Sequence, residues 1–340
     1  MYYNGMINAA VMAAPFDIAE VPAAELARYG PFVAASPQGT VFAGRPWLEL
    51  LGRHVPGRVF ALAFAAAGEV RALVPVWERR LPLVGAVAEL PPLTPYWGPL
   101  LPPPGELRAE RLKARDHDAL AAVAAEFKRR WPYARLACHP SLADVRPFGW
   151  AGFADASRYT SLLPPADADA FLAGVSSSLR NKIKQGRPED VSVAADAGPF
   201  LALYAQTFAR RGMDAPAAPP FVADVVTTFA AAGGVLYYIK GAAGTPAAAR
   251  FALRDGRAAY DLLAAAADDG PGPLGAYLLW REVRDTWAAG LTLDLVGVNV
   301  PAIARFKESF GGILTPYHVL THHRSWLVRA GVAAARRRPR

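Results

Sequence analysis

Apolar positions along the chain fall into two successive series with the same order of elements: helix, strand–turn–strand, further strand, second helix, closing strand. In the first half, RPWLELLGRH (45–54) carries its apolar residues at helical spacing. RVFALAFAAAGEVRALVPVWERR (58–80) reads as a hairpin turning near Gly68. AVAELPPLTPYWGPLL (86–101) is a strand that breaks into a proline-rich loop, 106–131 is a long helix, and YARLACHP (133–140) is a strand. In the second half, 198–212 and 219–233 are helices, and 234–269 holds three strands with turns at Gly244 and at Asp255-Gly256. GAYLLWREVRDTWAAG (275–290) is a helix and LTLDLVGV (291–298) a strand. Gly68 and Gly244 lie about half a chain apart, a spacing that suggests internal duplication.

The expected class is therefore α/β (α+β), with two similar domains, each a mixed, mostly antiparallel sheet flanked by helices. A chain of 340 residues exceeds what one core usually supports. Gly, Pro and Ala cluster after the first series, which places the division near residue 155: an N-terminal domain over 1–155 and a C-terminal one over 156–330. Asp167 and Asp169 then stand at a helix start, where negative charge suits the dipole. The ending AARRRPR reads as a solvated, disordered basic tail over 331–340.

Composition narrows the partners. The apolar share of 53% supplies material for both cores. No apolar run reaches the roughly 18 residues of a membrane span, and the first residues lack the basic start of a signal peptide. A cytoplasmic location is the expectation. Cys138 is the single cysteine, so an internal disulfide and a cysteine-cluster metal site are both excluded, and it reads as a buried structural thiol. The six histidines show no ligand spacing, and no metal is expected. A net charge of +8 favours a polyanionic partner: nucleic acid, anionic lipid or a phosphate-rich cofactor.

Candidate chemistry begins where a strand runs through a loop with Gly270, Gly272 and Gly275 into the helix over 275–290. Unpaired amides at such a junction, together with the helix dipole, bind anions such as a pyrophosphate. Loops of this composition also precede ordinary helices. The next stretch, LTLDLVGVNVPAIARFKESFGGILTPY, supplies Asp294, Gly297, Asn299, Phe306, Lys307, Gly311 and Gly312 in order. It resembles the C-terminal signature of the Fem-like and BioF2-like acyltransferases of the GNAT superfamily, known from bacteria. In that signature a DxxG strand, a helix bearing FK and a glycine pair precede the last strand. SSSLRNKIKQG resembles the family's basic helix through Arg180, Lys182 and Lys184, and the likeness covers most of residues 40 to 320.

The resemblance implies tandem GNAT-like domains with the donor site in the C-terminal half, and an acyl-CoA donor such as acetyl-CoA. It places Gly272, Leu274, Gly275, Ala276 and Phe306 at the donor, although Asp269 and Leu274 depart from the usual (Q/R)xxGxG/A loop. It puts Lys307 near the transferred group or its phosphate and Asn299 among the catalytic residues. Asp294 and Asp261 are the candidate bases, since both interrupt apolar strands where burial raises a carboxyl pKa; Asp261 can instead pair with Arg250. Arg180, Lys182 and Lys184 can hold substrate phosphates or simply form a solvated basic face. Tyr96 and Trp97 can wall a substrate pocket or close a core. Three functions follow. One is N-acyl transfer to a small-molecule amine, such as an amino sugar or a cell-envelope or polysaccharide precursor. The second is Fem-type transfer from aminoacyl-tRNA, and the third is noncatalytic binding of a polyanion.

Overall fold

A computed structural model of the protein describes residues 16–194, 196–210, 212–241, 244–267 and 272–337. The first half contains β1 (Asp17–Pro22), α1 (Gly30–Ala35), α2 (Arg45–His54), β2 (Arg58–Ala66), β3 (Glu69–Leu81) and β4 (Gly85–Glu89). It continues with α3 (Ala109–Arg130), β5 (Tyr133–Ala137), α4 (Arg146–Trp150) and β6 (Ala154–Leu163). The second half opens with α5 (Ala168–Gly174), α6 (Ser177–Ile183), β7 (Val191–Val193), α7 (Gly198–Arg210) and α8 (Pro219–Ala230). Next come β8 (Val235–Lys240), β9 (Pro246–Arg254), β10 (Ala258–Ala266) and α9 (Pro273–Ala288). β11 (Thr292–Asp294), α10 (Pro301–Glu308), β12 (Ile313–His323) and α11 (Trp326–Arg337) complete the order.

Twelve strands form one sheet in the order β1-β2-β3-β4-β5-β12-β6-β11-β10-β9-β8-β7. Neighbours pair antiparallel except β4 with β5 and β10 with β11. Those two pairs are joined through the long helices α3 and α9, as a parallel connection requires. The two halves thus repeat one order of elements, and each surrenders its last strand to the other. β6 pairs with β11 of the second half, and β12 returns to pair with both β6 and β5. A division at residue 155 would run through β6, and the swapped strands make the sheet continuous across it.

Strand alternation sorts side chains to two faces. On one face α3 covers the first half through Val123 and Phe127, and α9 covers the second through Leu278, Leu279 and Val283. On the other face α2 of the first half meets α8 of the second in a shared core, where Trp47 packs against Phe221 and Phe229. The halves are also tied by polar contacts: His54 reaches Asp224 at 2.7 Å, and Arg257 donates to the Ser36 carbonyl at 2.7 Å.

Three local expectations are answered here. Asp167 caps α5, accepting from the Ala170 amide at 2.7 Å. Cys138 is fully buried, and burial pushes its thiol well above the ordinary range. The tail is corrected: residues to Arg337 are helical, because Val328, Val332 and Ala335 at i, i+4 and i+7 pack on Leu81, Val87 and Tyr133. Residues 338–340 lie outside the described residues.

Candidate active site

The two parallel joints differ. In the first half β4 meets β5 only at Ala88–Ala134, and the proline-rich loop fills the space beyond. The Trp97 amide donates to the Ala137 carbonyl at 2.7 Å, and Leu100 pairs with Leu73. Gly98 makes this possible, since a Cβ there would meet the Ala137 oxygen at 3.0 Å. In the second half β10 meets β11 at 258–260 against 292–294, and then the two part. β11 stops at Asp294, short of the 291–298 expected from sequence, and its chain turns away through Gly297 at φ +88°. β10 runs on to Ala266 with a bulge between Asp261 and Leu263. Among the described residues its edge beyond Tyr260 therefore has no strand partner, and only at its end are the peptide groups taken, where Ala266 donates to Thr207 Oγ1 and accepts from Thr207 and Arg210. α9 starts at the same end of the sheet. Its Gly272 N-cap has no side-chain cap, the first turn carries no acid, and a Cβ on Gly272 would meet nothing within 4 Å. The amides of Leu274 and Gly275 precede the first intrahelical bond, made by Ala276 to Gly272 at 3.1 Å. Asp269 and Gly270 lie outside the described residues.

Asp294 and Asp261 point to opposite faces of this joint. Asp294 is buried on the side shared by the two halves. It accepts from the Tyr96 hydroxyl at 2.6 Å and from the Thr160 hydroxyl. Burial raises its carboxyl to about 6 against the opposing pull of those two hydrogen bonds. Tyr96 is itself pushed well above its ordinary value by burial and by the neighbouring carboxylate, so it is a donor at neutral pH. Its ring meets Tyr260 and Tyr317 edge-on and lies 5.0 Å from the His139 ring. His139 is driven down to about 4, chiefly by burial, and is a neutral imidazole at pH 7. Tyr96 and His139, with Gln38 and Thr40, line a small, narrow cavity. A first-half loop thus reaches across 198 residues of sequence to finish a second-half carboxylate site.

On the α9 side, Asp261 joins Arg250, Glu282 and Lys307 in a buried group of two cations and two carboxyls. Arg250 donates to Asp261, and to Glu282 at 3.1 Å; Lys307 Nζ lies 2.8 Å from Asp261 and donates to the Val296 carbonyl. Burial works to raise Asp261, but Arg250 and Lys307 outweigh it and hold the carboxyl below the usual range. Glu282 is pushed up to about 8 by burial and by the Asp261 charge. Lys307 thus ties the β11–α10 connection to β10, and the ring of Phe306 beside it lies 5.9 Å from the Arg250 guanidinium. In α10 the FK pair is helical, as the spacing predicts, and Gly312 lies so close to β6 that a Cβ would sit 2.3 Å from Ser161 Oγ.

Other candidates take structural positions. Asn299 uses both ends of its amide on the backbone of Tyr159, accepting at 2.9 Å and donating at 2.8 Å, so its side chain is spent fixing β6. Trp97 is 1% exposed and belongs to the shared core. Arg180 donates to the carbonyls of Leu172, Ala173 and Val175, closing the end of α5, whereas Lys182 and Lys184 are exposed. Sequence reading missed Thr160 and Glu282. RYTSLL gave no sign that Thr160 would face Asp294, because the strand swap that joins them is a tertiary event; Glu282 at helical spacing resembled any solvated α9 position.

Residues 174–308 match the family model of the acetyltransferase (GNAT) domain. No curated protein matches the chain by sequence. Among solved structures, FemX shares the fold with a TM-score of 0.64 at 12% identity, over 89% of this chain and 96% of that one. The C-terminal domain (DUF2156) of a putative lysylphosphatidylglycerol synthetase from Agrobacterium fabrum gives 0.56 at 14%, over 92% and 95%. A tandem GNAT protein from the clavulanic acid biosynthesis pathway gives 0.52 at 12%, over 92% and 99%. At such identities the likeness to solved structures is one of fold, whereas the family model speaks for the sequence of the second half. Residues 174–308 thus carry the sequence of an acetyltransferase (GNAT) domain, and the chain as a whole shares its fold with FemX and with a tandem GNAT protein.

Proposed function

We propose that the protein is an N-acyltransferase that takes an acyl group from a CoA thioester and passes it to an amine of a small molecule, with the gap between β10 and β11 as the donor site. The observation that carries this reading is the asymmetry of the two parallel joints: the first is filled by Trp97–Leu100, and the second offers an unpaired strand edge. The free amides of Leu274 and Gly275 at the start of α9, with Gly272 beside them, would hold the donor's pyrophosphate. The β10 edge would hold the amide-bearing arm, which brings the thioester to the split at Tyr260 and Asp294. Phe306, Ala276 and Leu274 border the same side.

In this reading the acceptor enters from the face of Tyr96 and His139. Asp294, ionised above about pH 6, takes the proton that the amine loses as its nitrogen bonds to the carbonyl carbon. The carbon–sulfur bond breaks and the thiolate leaves. Tyr96 and Thr160 orient the carboxylate. Lys307, pinned by Asp261 and the Val296 carbonyl, fixes the connection that opens the gap and acts as a positioning residue. Lys182 and Lys184 stand exposed for phosphates of either substrate. The acceptor class is an amino sugar or a cell-envelope or polysaccharide precursor, and the reaction takes place in the cytoplasm, where CoA thioesters are made.

Transfer from aminoacyl-tRNA is the second reading, favoured by the likeness to FemX and by the family resemblance. Residues 168–183 form two helices of only seven residues each, which gives little extra surface for a tRNA. The tandem GNAT neighbour is described with reference to AcCoA, in line with the first reading. Incubation with acetyl-CoA, charged tRNA and a panel of amines separates them. Release of CoA thiol dependent on one amine class is expected; discharge of the tRNA with acetyl-CoA intact would establish the second reading instead.

A further inference from the structure

The end of the sheet remote from the candidate active site carries a combination that the transfer reaction does not use. β12 is eleven residues long and runs from the active-site end to the far end, a span of about 33 Å at roughly 3.3 Å per residue. Beyond it Trp326 and Leu327 open α11 with 76% and 62% of their surfaces exposed. Leu83, in the turn between β3 and β4, is 98% exposed. The three belong to one rim. Leu327 precedes Gly331 by one helical turn, and Gly331 packs so tightly on Val84 that a Cβ there would meet Val84 Cγ2 at 2.8 Å. Turned inward, Val332 leaves Trp326 on the outer side of the helix.

The chain around this rim is strongly basic, and the carboxylates at this end, Glu20, Glu78, Glu89 and Glu126, are each paired with arginine. From residue 309 to 340 the sequence holds six arginines and no aspartate or glutamate. Arg80, Arg324 and Arg329 are exposed around the apolar tip, and Arg324 donates to the Lys128 carbonyl rather than to a carboxylate. Exposed tryptophan and leucine ringed by arginine match the layering of a bilayer surface. Apolar groups enter the acyl boundary, the indole sits at headgroup level, and guanidinium groups pair with lipid phosphates.

We propose that this rim, with Trp326, Leu327 and Leu83 at its tip and Arg80, Arg324 and Arg329 around it, docks the protein on an anionic lipid bilayer. Docked so, the molecule presents the Asp294 end of the sheet away from the membrane, open to a water-soluble donor and acceptor. The attachment is peripheral, since no described helix is long and apolar enough to cross a membrane.

The test is cosedimentation of the full chain with vesicles of phosphatidylcholine alone and of phosphatidylcholine mixed with phosphatidylglycerol. Binding to the mixed vesicles only is expected, weakening with salt. Arg324→Gln and Arg329→Gln should each lower the partition about fivefold. Trp326→Ser with Leu327→Ser should abolish it while the circular dichroism spectrum and acyl transfer stay at the wild-type level. Brominated lipids should quench a tryptophan signal that Trp326→Phe lacks. Failure of the wild type to pellet with anionic vesicles overturns the proposal, as does binding unchanged in the Trp326/Leu327 variant. Two other outcomes also overturn it when vesicle binding is absent: a dimer in solution that the same variant dissolves, or an RNA oligonucleotide bound through the same residues.

Discussion

Asp294 is held at a cost in stability. Its carboxyl rises from 3.8 to about 6 on burial, so the folded state prefers the protonated form. The folded pKa lies above the unfolded one, so stability is greatest below about pH 4 and declines as pH rises to about 6. At about 1.4 kcal/mol per pH unit the ionised group costs roughly 3 kcal/mol at neutral pH. Asp294→Asn removes that charge while keeping groups for the Tyr96 and Thr160 hydroxyls. It should raise the melting temperature at pH 8 and leave it nearly unchanged at pH 4, while acyl transfer falls by on the order of a hundredfold or more. A loss of stability at pH 8 would show that the carboxylate is a structural member of its network. The buried group behind it behaves in the opposite way. Arg250→Met leaves Asp261 and Glu282 without their shared cation, and denaturant unfolding should show a loss of about 3–5 kcal/mol.

The elements around the gap were legible to different degrees. The periodic helices and the three strands over 235–266 follow directly from their spacing, and the FK helix and glycine pair lie where their residues put them. The shortness of β11 was hidden, because LTLDLVGV alternates like a longer strand and only the departure of the chain at Gly297 ends it. Asn299 and Trp97 looked like site residues because an amide or an indole beside a turn has the same sequence signature whether it meets substrate or backbone. The start of α9 supports a discriminating substitution. Gly272→Asp has open space for its side chain, an extended backbone at φ −61° and ψ −173°, and a better N-cap than glycine. It should keep or raise the melting temperature. Its charge would repel the donor pyrophosphate, so KM for acetyl-CoA should rise at least tenfold with kcat changed far less. Unchanged KM would move the phosphate site elsewhere.

At the scale of the molecule, the exchanged strands decide how the halves behave. The shared core of Trp47, Phe221 and Phe229 and the β12–β5 ladder leave neither half with a complete sheet of its own. Unfolding should therefore be one cooperative transition. Cys138, buried in the first half, should become reactive to a thiol reagent at the same denaturant midpoint at which the second half loses donor binding. Separate midpoints would mean that the halves fold independently. Duplication of the element order was readable in the chain, but the strand swap was not, because pairing partners far apart in sequence leave no periodic mark. The swap is also what brings Thr160 and Tyr96 to Asp294, and so ties a second-half carboxylate to first-half residues. The most direct test is a time course of thiol release from acetyl-CoA at neutral pH with an accepting amine, comparing wild type with Asp294→Asn. Thiol release by the wild type, its loss in Asp294→Asn and a wild-type rate that falls below about pH 6 are the expected results. Thiol release undiminished in Asp294→Asn, or none from the wild type with any amine, would contradict a donor site in the β10–β11 gap served by this carboxylate.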